Sequence, residues 1–230
     1  MIGIIAAMQK EMDKIEEAMS SSVREKVGGV EFLRGEIGGC DVVCSVCGVG
    51  KVFAAMCAEA MIIRYAPTLV VNTGVGGTLT RELSVGDVAI AEAVCQHDMD
   101  TTALGDEPGL ISGINRVYFE ADKTAACMIE EIARDMGIKT YHGTIASGDR
   151  FIASQAEKER IVSTFGAVSC EMEGAAVGHV CFVNETPFAV IRAISDDADG
   201  GACEDYPAFA AASAAKSAAI VCALANKMGK

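Results

Sequence analysis

Tryptophan is absent from this 230-residue chain, which also has only four prolines, four tyrosines and three histidines. Basic residues are scarce as well, since 19 Lys and Arg stand against 32 Asp and Glu, a formal net charge of −13. This balance excludes a nucleic-acid-binding protein, because phosphate backbones require a basic stripe. The histidines, His97, His142 and His179, are scattered, and no Ser/His/Asp or Cys/His set can be assembled from them.

Long uninterrupted apolar runs are also missing. The apolar start of the chain is interrupted by Gln9, Lys10 and Glu11 before any cleavage-site pattern, so we expect no signal peptide. The Ala-rich stretch 208–224 contains two serines and Lys216, and it predicts a helix lying on a sheet, not a membrane span. We therefore expect a cytoplasmic protein that makes no membrane contact.

The ten cysteines form no ordered pattern. Most lie in apolar stretches, where a free cysteine behaves as a small hydrophobic residue. Cys44 and Cys47 have the spacing of metal ligands, but no second pair follows and their segment is typical of a buried strand. We expect free thiols in a reducing compartment and no metal site.

Apolar residues and glycine are abundant, at 51% of the chain and 24 residues. Strand-length runs such as 69–71 and 189–191 alternate with amphipathic stretches, which predicts a largely parallel sheet with helices on both faces. Gly28-Gly29 and Gly38-Gly39 bracket a hairpin-like segment, so we expect a mixed sheet. The predicted fold is one three-layer α/β/α domain over residues 1–230. Helices are expected over 51–65, 122–136, 155–164, 173–182 and 205–227.

Two acidic motifs in the last third of the chain are the most informative. The first is Cys-Glu-Met-Glu-Gly-Ala-Ala at 170–176, and the second is Val-Ile-Arg-Ala-Ile-Ser-Asp-Asp at 190–197. Each stands at the end of an apolar run, where the strands of an α/β sheet deliver side chains to a ligand crevice. Carboxylates, Arg192 and Met172 on one rim predict a polar small-molecule ligand with an apolar portion.

Three further motifs are weaker when taken singly. A glycine turn at 72–78 follows a buried strand and lets backbone N–H groups approach a ligand. Phe151, in Ser-Gly-Asp-Arg-Phe-Ile at 147–152, offers a flat apolar face, although a lone Phe is more often a core residue. Glu11 follows the first strand, although an isolated glutamate is usually exposed. A metal cluster of Asp196, Asp197 and Asp199 lacks a fixed ligand spacing.

In this order, the motifs resemble those of the 5'-methylthioadenosine/S-adenosylhomocysteine nucleosidases of the nucleoside phosphorylase superfamily. The resemblance covers nearly the whole chain and implies a nucleoside phosphorylase-like fold. It also implies hydrolysis of the N-glycosidic bond of methylthioadenosine and S-adenosylhomocysteine, and of 5'-deoxyadenosine as well, releasing adenine in methionine salvage. Neither a metal nor another cofactor is implied.

The resemblance implies roles for four residues. Asp196 would protonate adenine N7, Glu11 would activate water, Glu173 would hold the ribose hydroxyls, and Arg192 would position the water and Glu173. A protonated Asp196 requires burial or neighbouring charge, which Asp197 could supply. Whether Glu171 shares the work stays open. The resemblance also implies a substrate-binding set: Met8, Val49, Val75, Gly76, Gly77, Phe151, Ile152, Met172, Ser195 and Phe209.

A long connection at 96–115 has no clear period, and loops of this length are usually functional. The resemblance implies a homodimer in which this loop completes the neighbour's site through Thr101 and Leu104. Leu104 is smaller than the aromatic residue common in the family. Many relatives also carry Ser-Ala where this chain has Val75-Gly76, so only a backbone role carries over there.

Three alternatives remain beside the nucleosidase. A phosphorylase would need arginines near the first glycine loop and the 72–78 turn, where this chain instead has Glu11, which would repel phosphate. Futalosine hydrolase is the closest rival among hydrolases, because its substrate also carries a 5'-substituted ribose. A non-catalytic nucleoside-binding or storage protein would not need both Glu11 and Asp196.

Overall fold

The computed structural model describes residues 1–196 and 206–229, with the side chains of 206–209 left out. The strands within these ranges are β1 (Ile2–Ala6), β2 (Ser20–Val27), β3 (Val30–Ile37), β4 (Cys40–Val46), β5 (Leu69–Thr78), β6 (Val88–Gln96), β7 (Tyr118–Glu120), β8 (Thr140–Ser147), β9 (Ala167–Glu171) and β10 (Phe188–Asp196). The helices are α1 (Gln9–Ala18), α2 (Lys51–Tyr65), α3 (Lys123–Asp135), α4 (Gln155–Phe165), α5 (Gly174–Val183) and α6 (Tyr206–Met228).

The strands form a single mixed sheet. Its open wing runs β2-β3-β4-β1-β5, and β5 then pairs with both β9 and β10. Because β9, β8, β6 and β10 are also paired in that order, the second half of the sheet closes on itself. Parallel pairing joins β1 to β4 and β5, β5 to β10, and β8 to β6 and β9. The predicted mixed sheet is confirmed, and the closed part was not anticipated.

The central strands are buried on both faces, as strands in a three-layer fold must be. Ile4 packs with one group of helices, α1, α3 and α6, whereas its neighbour Ile5 packs with α2 and α5. Val71 and Val70 divide in the same way. Successive side chains of a strand point to opposite faces, so each apolar run supplies both cores. The predicted three-layer α/β fold is therefore confirmed.

The helices follow the predicted positions closely. Helix α2 covers 51–65 as expected, and α3 begins one residue late because Asp122 is its cap, with a carboxylate that accepts from Ala125 N at 2.8 Å. Helix α4 is capped in the same way by Ser154. The 96–115 connection contains only a short 3₁₀ turn, Thr102–Leu104, as a helical element.

The cysteines illustrate how the sheet separates neighbouring residues. Cys44 is buried with α1 and α6 on one face, and Cys47 is buried with α2 on the other. Two thiols on opposite faces of a sheet cannot bind one metal ion. All nine cysteines within the described ranges are free thiols, and burial raises the pKa of Cys44 to about 12 and that of Cys57 to about 11.

None of the helices that the structure describes combines the length and the apolarity needed to cross a membrane.

Candidate active site

A cavity opens where β1, β5, β9 and β10 end, at the edge where α/β sheets bind ligands. It holds about 760 Å³ of space free of atoms, part of it open to solvent. Its wall is formed by Ala7, Met8, Glu11, Val49, Val75, Gly76, Gly77, Arg150, Phe151, Ile152, Cys170, Glu171, Met172, Glu173, Ser195 and Asp196.

Most residues singled out from the sequence meet in this wall. Arg192 lies behind it, fully buried, and reaches the cavity only through its neighbours. Thr101 and Leu104 do not line the cavity of their own chain. The Phe209 side chain lies outside the described residues. Ala7, Arg150 and Cys170 line the cavity without having been anticipated.

Glu11 is buried and tightly held. Its Oε2 accepts from the backbone N–H groups of Ala7 at 3.1 Å and Met8 at 2.9 Å. Its Oε1 accepts from Val75 N at 3.0 Å. Because Glu11 lies in the first turn of α1, its carboxylate reaches both the residues that follow β1 and the backbone of β5. Three N–H donors fix this group in one orientation before any ligand arrives.

Two glycines of β5 make room for the two acids. A Cβ atom on Gly74 would lie 2.7 Å from Glu11 Oε1, and a Cβ on Gly77 would lie 2.9 Å from Asp196 Oδ2. Both distances are shorter than real Cβ contacts. The glycine turn thus makes room for the carboxylates, and its Val75 N–H already donates to Glu11.

Asp196 closes β10 beside an irregularity in its pairing with β5. The Ser195 hydroxyl lies 3.1 Å from Asp196 Oδ1 and 3.4 Å from the carbonyl oxygen of Gly76, and it can donate to either. The Asp196 side chain is 15% exposed, so its carboxyl group is mostly removed from water while still facing the cavity.

A buried cation lies next to Asp196. Lys158 Nζ is 3.9 Å from Asp196 Oδ2, and its side chain is only 5% exposed. A positive charge favours the ionised carboxylate, which is opposite in effect to the neighbouring acids expected from the sequence. Asp197 and Asp199 lie outside the described residues.

Lys158 was missed because a Glu-Lys-Glu-Arg run is typical of a solvated helix face. The helical period would have found it, since Lys158 shares a stripe with Ile161 and Phe165, all buried.

Glu173 is the buried residue at the start of α5. Its Oε1 accepts from Gly50 N at 2.9 Å, and Arg192 Nη2 lies 3.9 Å from its Oε2. Burial raises the pKa of Glu173 to about 7, and the charge of Glu171 adds to the increase while Arg192 opposes it. Glu173 therefore titrates near neutral pH.

Glu171 forms the core of a buried network that adjoins Glu173. Its carboxylate accepts from Glu173 N at 2.9 Å, from Gly174 N, and from the hydroxyl of Ser147, and it pairs with Arg192. Its oxygens are thus occupied by the protein, and Glu171 has a structural role, because it caps α5. Glu173 is formally the cap residue, but its side chain makes no capping bond.

Arg192 spans the same network. Its guanidinium donates to the carbonyl oxygens of Asn72 and Ile191 and to the Asn72 side chain, and it contacts both glutamates. Its Nε has no partner within the described residues. A fully buried arginine must be paired, and here the pairing locks Glu171 while leaving Glu173 at longer range.

The remaining wall is apolar. Phe151 is 60% exposed and faces the cavity, whereas Ile152 beside it is buried. Arg150 in the same loop extends outward, with its side chain 66% exposed and paired to Glu157 at 2.6 Å. The loop is tied to α2, because Asp149 accepts from Lys51 N at 2.8 Å.

Comparisons with known proteins agree with this geometry. A family model described as the phosphorylase superfamily matches residues 1–226. Among curated relatives, a 5'-methylthioadenosine/S-adenosylhomocysteine nucleosidase of Haemophilus influenzae is 36% identical over 228 residues, and the match covers 99% of each chain.

Solved structures give the same picture. The 5'-methylthioadenosine/S-adenosylhomocysteine nucleosidase of Neisseria meningitidis, in complex with methylthio-immucillin-A, is 33% identical with a TM-score of 0.92, covering 98% of both chains. A futalosine hydrolase of Helicobacter pylori is 32% identical, also with a TM-score of 0.92, covering 98% of this chain and 97% of that one. The backbone alone thus does not separate the two hydrolase classes.

Proposed function

This chain belongs to the 5'-methylthioadenosine/S-adenosylhomocysteine nucleosidase family of the phosphorylase superfamily, and from that premise we propose how it acts. It hydrolyses the N-glycosidic bond of methylthioadenosine and S-adenosylhomocysteine, and that of 5'-deoxyadenosine as well. Adenine and the free 5'-substituted sugar are the products. Residues 1–230 act as one domain.

One observation carries this proposal: Glu11, Glu173 and Asp196 lie in the wall of one cavity beside an apolar surface. Phe151 supplies a flat face for a purine, and Met8, Val49 and Met172 supply an apolar wall for a sugar and a thioalkyl group. Acids at both the base and the sugar are what hydrolysis of an N-glycosidic bond requires.

The proposed reaction uses each acid once. Asp196 donates a proton to N7 as the bond between C1' and N9 breaks, so the electron pair of that bond leaves with a neutral adenine. Glu11 accepts a proton from water as the water oxygen bonds to C1'. Glu173 accepts hydrogen bonds from the ribose hydroxyls, and these strengthen as positive charge grows on the sugar. Arg192 acts through Glu173.

Water, not phosphate, is the proposed nucleophile. Among the lining residues that the structure describes, Arg150 is the only cation, and it extends outward to Glu157. Phosphate binding needs convergent cations or free N–H donors. The Val75 N–H of the glycine turn is taken by Glu11, whose own charge repels an anion.

An assay of free-base release tests the function. We expect methylthioadenosine and S-adenosylhomocysteine to release adenine at a rate that phosphate does not change, with free sugar as the second product. Futalosine should be turned over poorly, because Asp196 can face both N7 and the exocyclic amine of adenine. Sugar 1-phosphate as the main product would establish a phosphorylase, and faster turnover of futalosine would establish a futalosine hydrolase. Tight binding without turnover would establish a storage protein.

We propose in addition that the chain is a homodimer. Helix α2 and the residue before its cap expose an apolar stripe, in which Val52 is 69%, Phe53 56%, Val49 49% and Met56 48% exposed. Monomers rarely expose contiguous apolar surface of this kind. In the proposed dimer, Leu104, which is 82% exposed at the end of the 3₁₀ turn, enters the neighbour's cavity together with Thr101.

A pair of matched variants tests the dimer. Val52→Lys should produce a monomer of weakened substrate affinity in light scattering and kinetics. Val23→Lys changes an equally exposed valine, at 63%, on the edge strand β2 and should leave the dimer intact. A wild-type protein that is monomeric and fully active at high dilution would contradict the proposal.

A cytoplasmic location is also proposed. It is supported by the free thiols of all nine described cysteines, which a reducing compartment preserves. Cell fractionation that recovers the protein outside the cytoplasm would refute it.

A further inference from the structure

Lys158 is a buried cation on an otherwise apolar helix stripe. It projects from α4 on the side that carries Ile161 and Phe165, and its side chain is 5% exposed. Burying an ammonium group is costly unless it is paired. The sequence could place a methionine or leucine here at lower cost, so the charge requires an explanation that packing alone does not give.

The charge lies beside the proposed acid. Lys158 Nζ is 3.9 Å from Asp196 Oδ2. On the β9 side, Asp196 faces the Cys170 thiol, whose pKa is raised to about 12 by burial and by the Asp196 charge while Lys158 opposes the increase. Ser195 contributes a hydroxyl from β10, and Glu11, Glu171, Glu173 and Arg150 share the cavity wall.

We propose that Lys158 is a positioning residue for Asp196, which holds its carboxyl group in the cavity wall and stabilises the carboxylate left after proton donation. This inference rests on the proposed function, since it assumes that Asp196 is the acid. An adjacent ammonium group makes Asp196 a stronger acid, which assists transfer of its proton to N7. The same charge narrows the pH range over which Asp196 holds that proton.

The test compares Lys158→Met with Lys158→Arg. Methionine matches the volume of lysine without its charge, and arginine retains the charge. With methylthioadenosine as the probe, kcat/KM is measured from pH 5 to pH 10. For Lys158→Met we expect the alkaline limb of the profile to move to higher pH by about one to three units, the usual effect of one adjacent charge. The plateau should fall by roughly 3–30-fold, because a weaker acid transfers its proton more slowly. Lys158→Arg should keep the wild-type limb.

A second comparison separates this inference from the function on which it rests. In an Asp196→Asn background, Lys158→Met should change the residual rate by less than about 2-fold, because the group on which it acts is gone. If Lys158→Met folds and lowers the plateau without moving the limb, Lys158 is merely structural and the inference is wrong. If Asp196→Asn retains full turnover, the proposed function itself fails. If Lys158→Met does not fold, the test rests on the alkaline limb of the Lys158→Arg profile. A limb at the wild-type pH supports the inference, and a limb displaced although the charge is kept would overturn it.

Discussion

Glu11 and Asp196 are acids of similar chemistry in one cavity, yet their surroundings differ in kind. Three backbone N–H groups hold Glu11, and they come from residues whose positions are fixed by β1 and β5. The contacts that the structure describes for Asp196 include two side chains, the Ser195 hydroxyl and the Lys158 ammonium group. Backbone N–H donors hold a carboxylate in a fixed place. Side-chain partners can reorient when a carboxyl group gains or loses a proton.

This difference shows how one sheet edge provides two roles for the same functional group. A base that removes a proton from water benefits from rigid placement, because its geometry relative to the attacked atom decides the rate. Both groups change protonation state in the proposed reaction, since Glu11 gains a proton and Asp196 loses one, so the two differ in how rigidly each carboxyl group is placed. We therefore propose the rigidly placed Glu11 as the base and Asp196 as the acid.

The largest expected effect comes from removing the base. Glu11→Gln keeps the size of the side chain but loses the charge, and we expect turnover to fall by about 10²–10⁴, the usual contribution of a positioned acid or base. KM should change far less, because Glu11 is held by the protein and does not anchor the sugar. Glu17→Gln, an exposed position on the same helix, is the matched control. A Glu11→Gln enzyme with near-normal kcat would remove the base from the mechanism.

A smaller effect compares the two glycines. Gly74→Ala places a Cβ against Glu11, which three N–H groups prevent from moving, and Gly77→Ala places one against Asp196. We expect Gly74→Ala to lower kcat by roughly 10–100-fold and Gly77→Ala to lower it less, because a misplaced rigid group costs more than an adjustable one. Both glycines lie in a strand, so alanine can adopt the backbone conformation at either position. Equal losses, or a larger loss for Gly77→Ala, would contradict the comparison.

The smallest effect concerns the third acid and is measured as stability. The folded-state pKa of Glu173 is about 7, above the ordinary value of 4.5, because of burial. The folded protein therefore binds more protons than the unfolded chain, and this contribution to stability is lost as pH rises through 7. Between pH 6 and pH 8, the unfolding free energy of the wild type should fall by about 1.4 kcal/mol relative to Glu173→Gln.

Urea unfolding of both proteins at one concentration, at pH 6 and pH 8, provides that measurement. A wild-type–variant difference independent of pH would show that Glu173 is already ionised at pH 6.

Much of the fold follows from the sequence, because local patterns determine it. Helix α2 begins and ends where the pattern places it, and the runs around Leu69 and Ala189 are strands. The closure of the second half of the sheet could not be predicted, since it depends on β5 pairing with both β9 and β10. Pairings between residues roughly a hundred positions apart have no local signature.

The residues of the candidate site also divide into those that the sequence predicts and those that it does not. Positions at strand ends together with the family resemblance pointed to Glu11, Glu173 and Asp196, and the structure brings all three into the wall of one cavity. The burial of Lys158 was not predicted, because its neighbours in sequence are charged whereas the residues on its helix stripe are apolar. The capping role of Glu171 was also hidden, since a carboxylate that bonds backbone N–H groups looks the same in sequence as one that bonds a ligand.

The Gly50 N–H donates to Glu173 Oε1 and so links the cavity wall to the start of α2. Gly50 caps α2, and the same helix carries the apolar stripe of the proposed dimer. Helix α2 therefore connects the proposed subunit contact to Glu173, the carboxylate proposed to bind the sugar. Coupling between two binding events is reciprocal, so any factor by which association strengthens ligand binding must equally strengthen association when ligand is bound. A nucleoside analogue bound in the cavity would then also stabilise the dimer, although it does not touch the subunit contact.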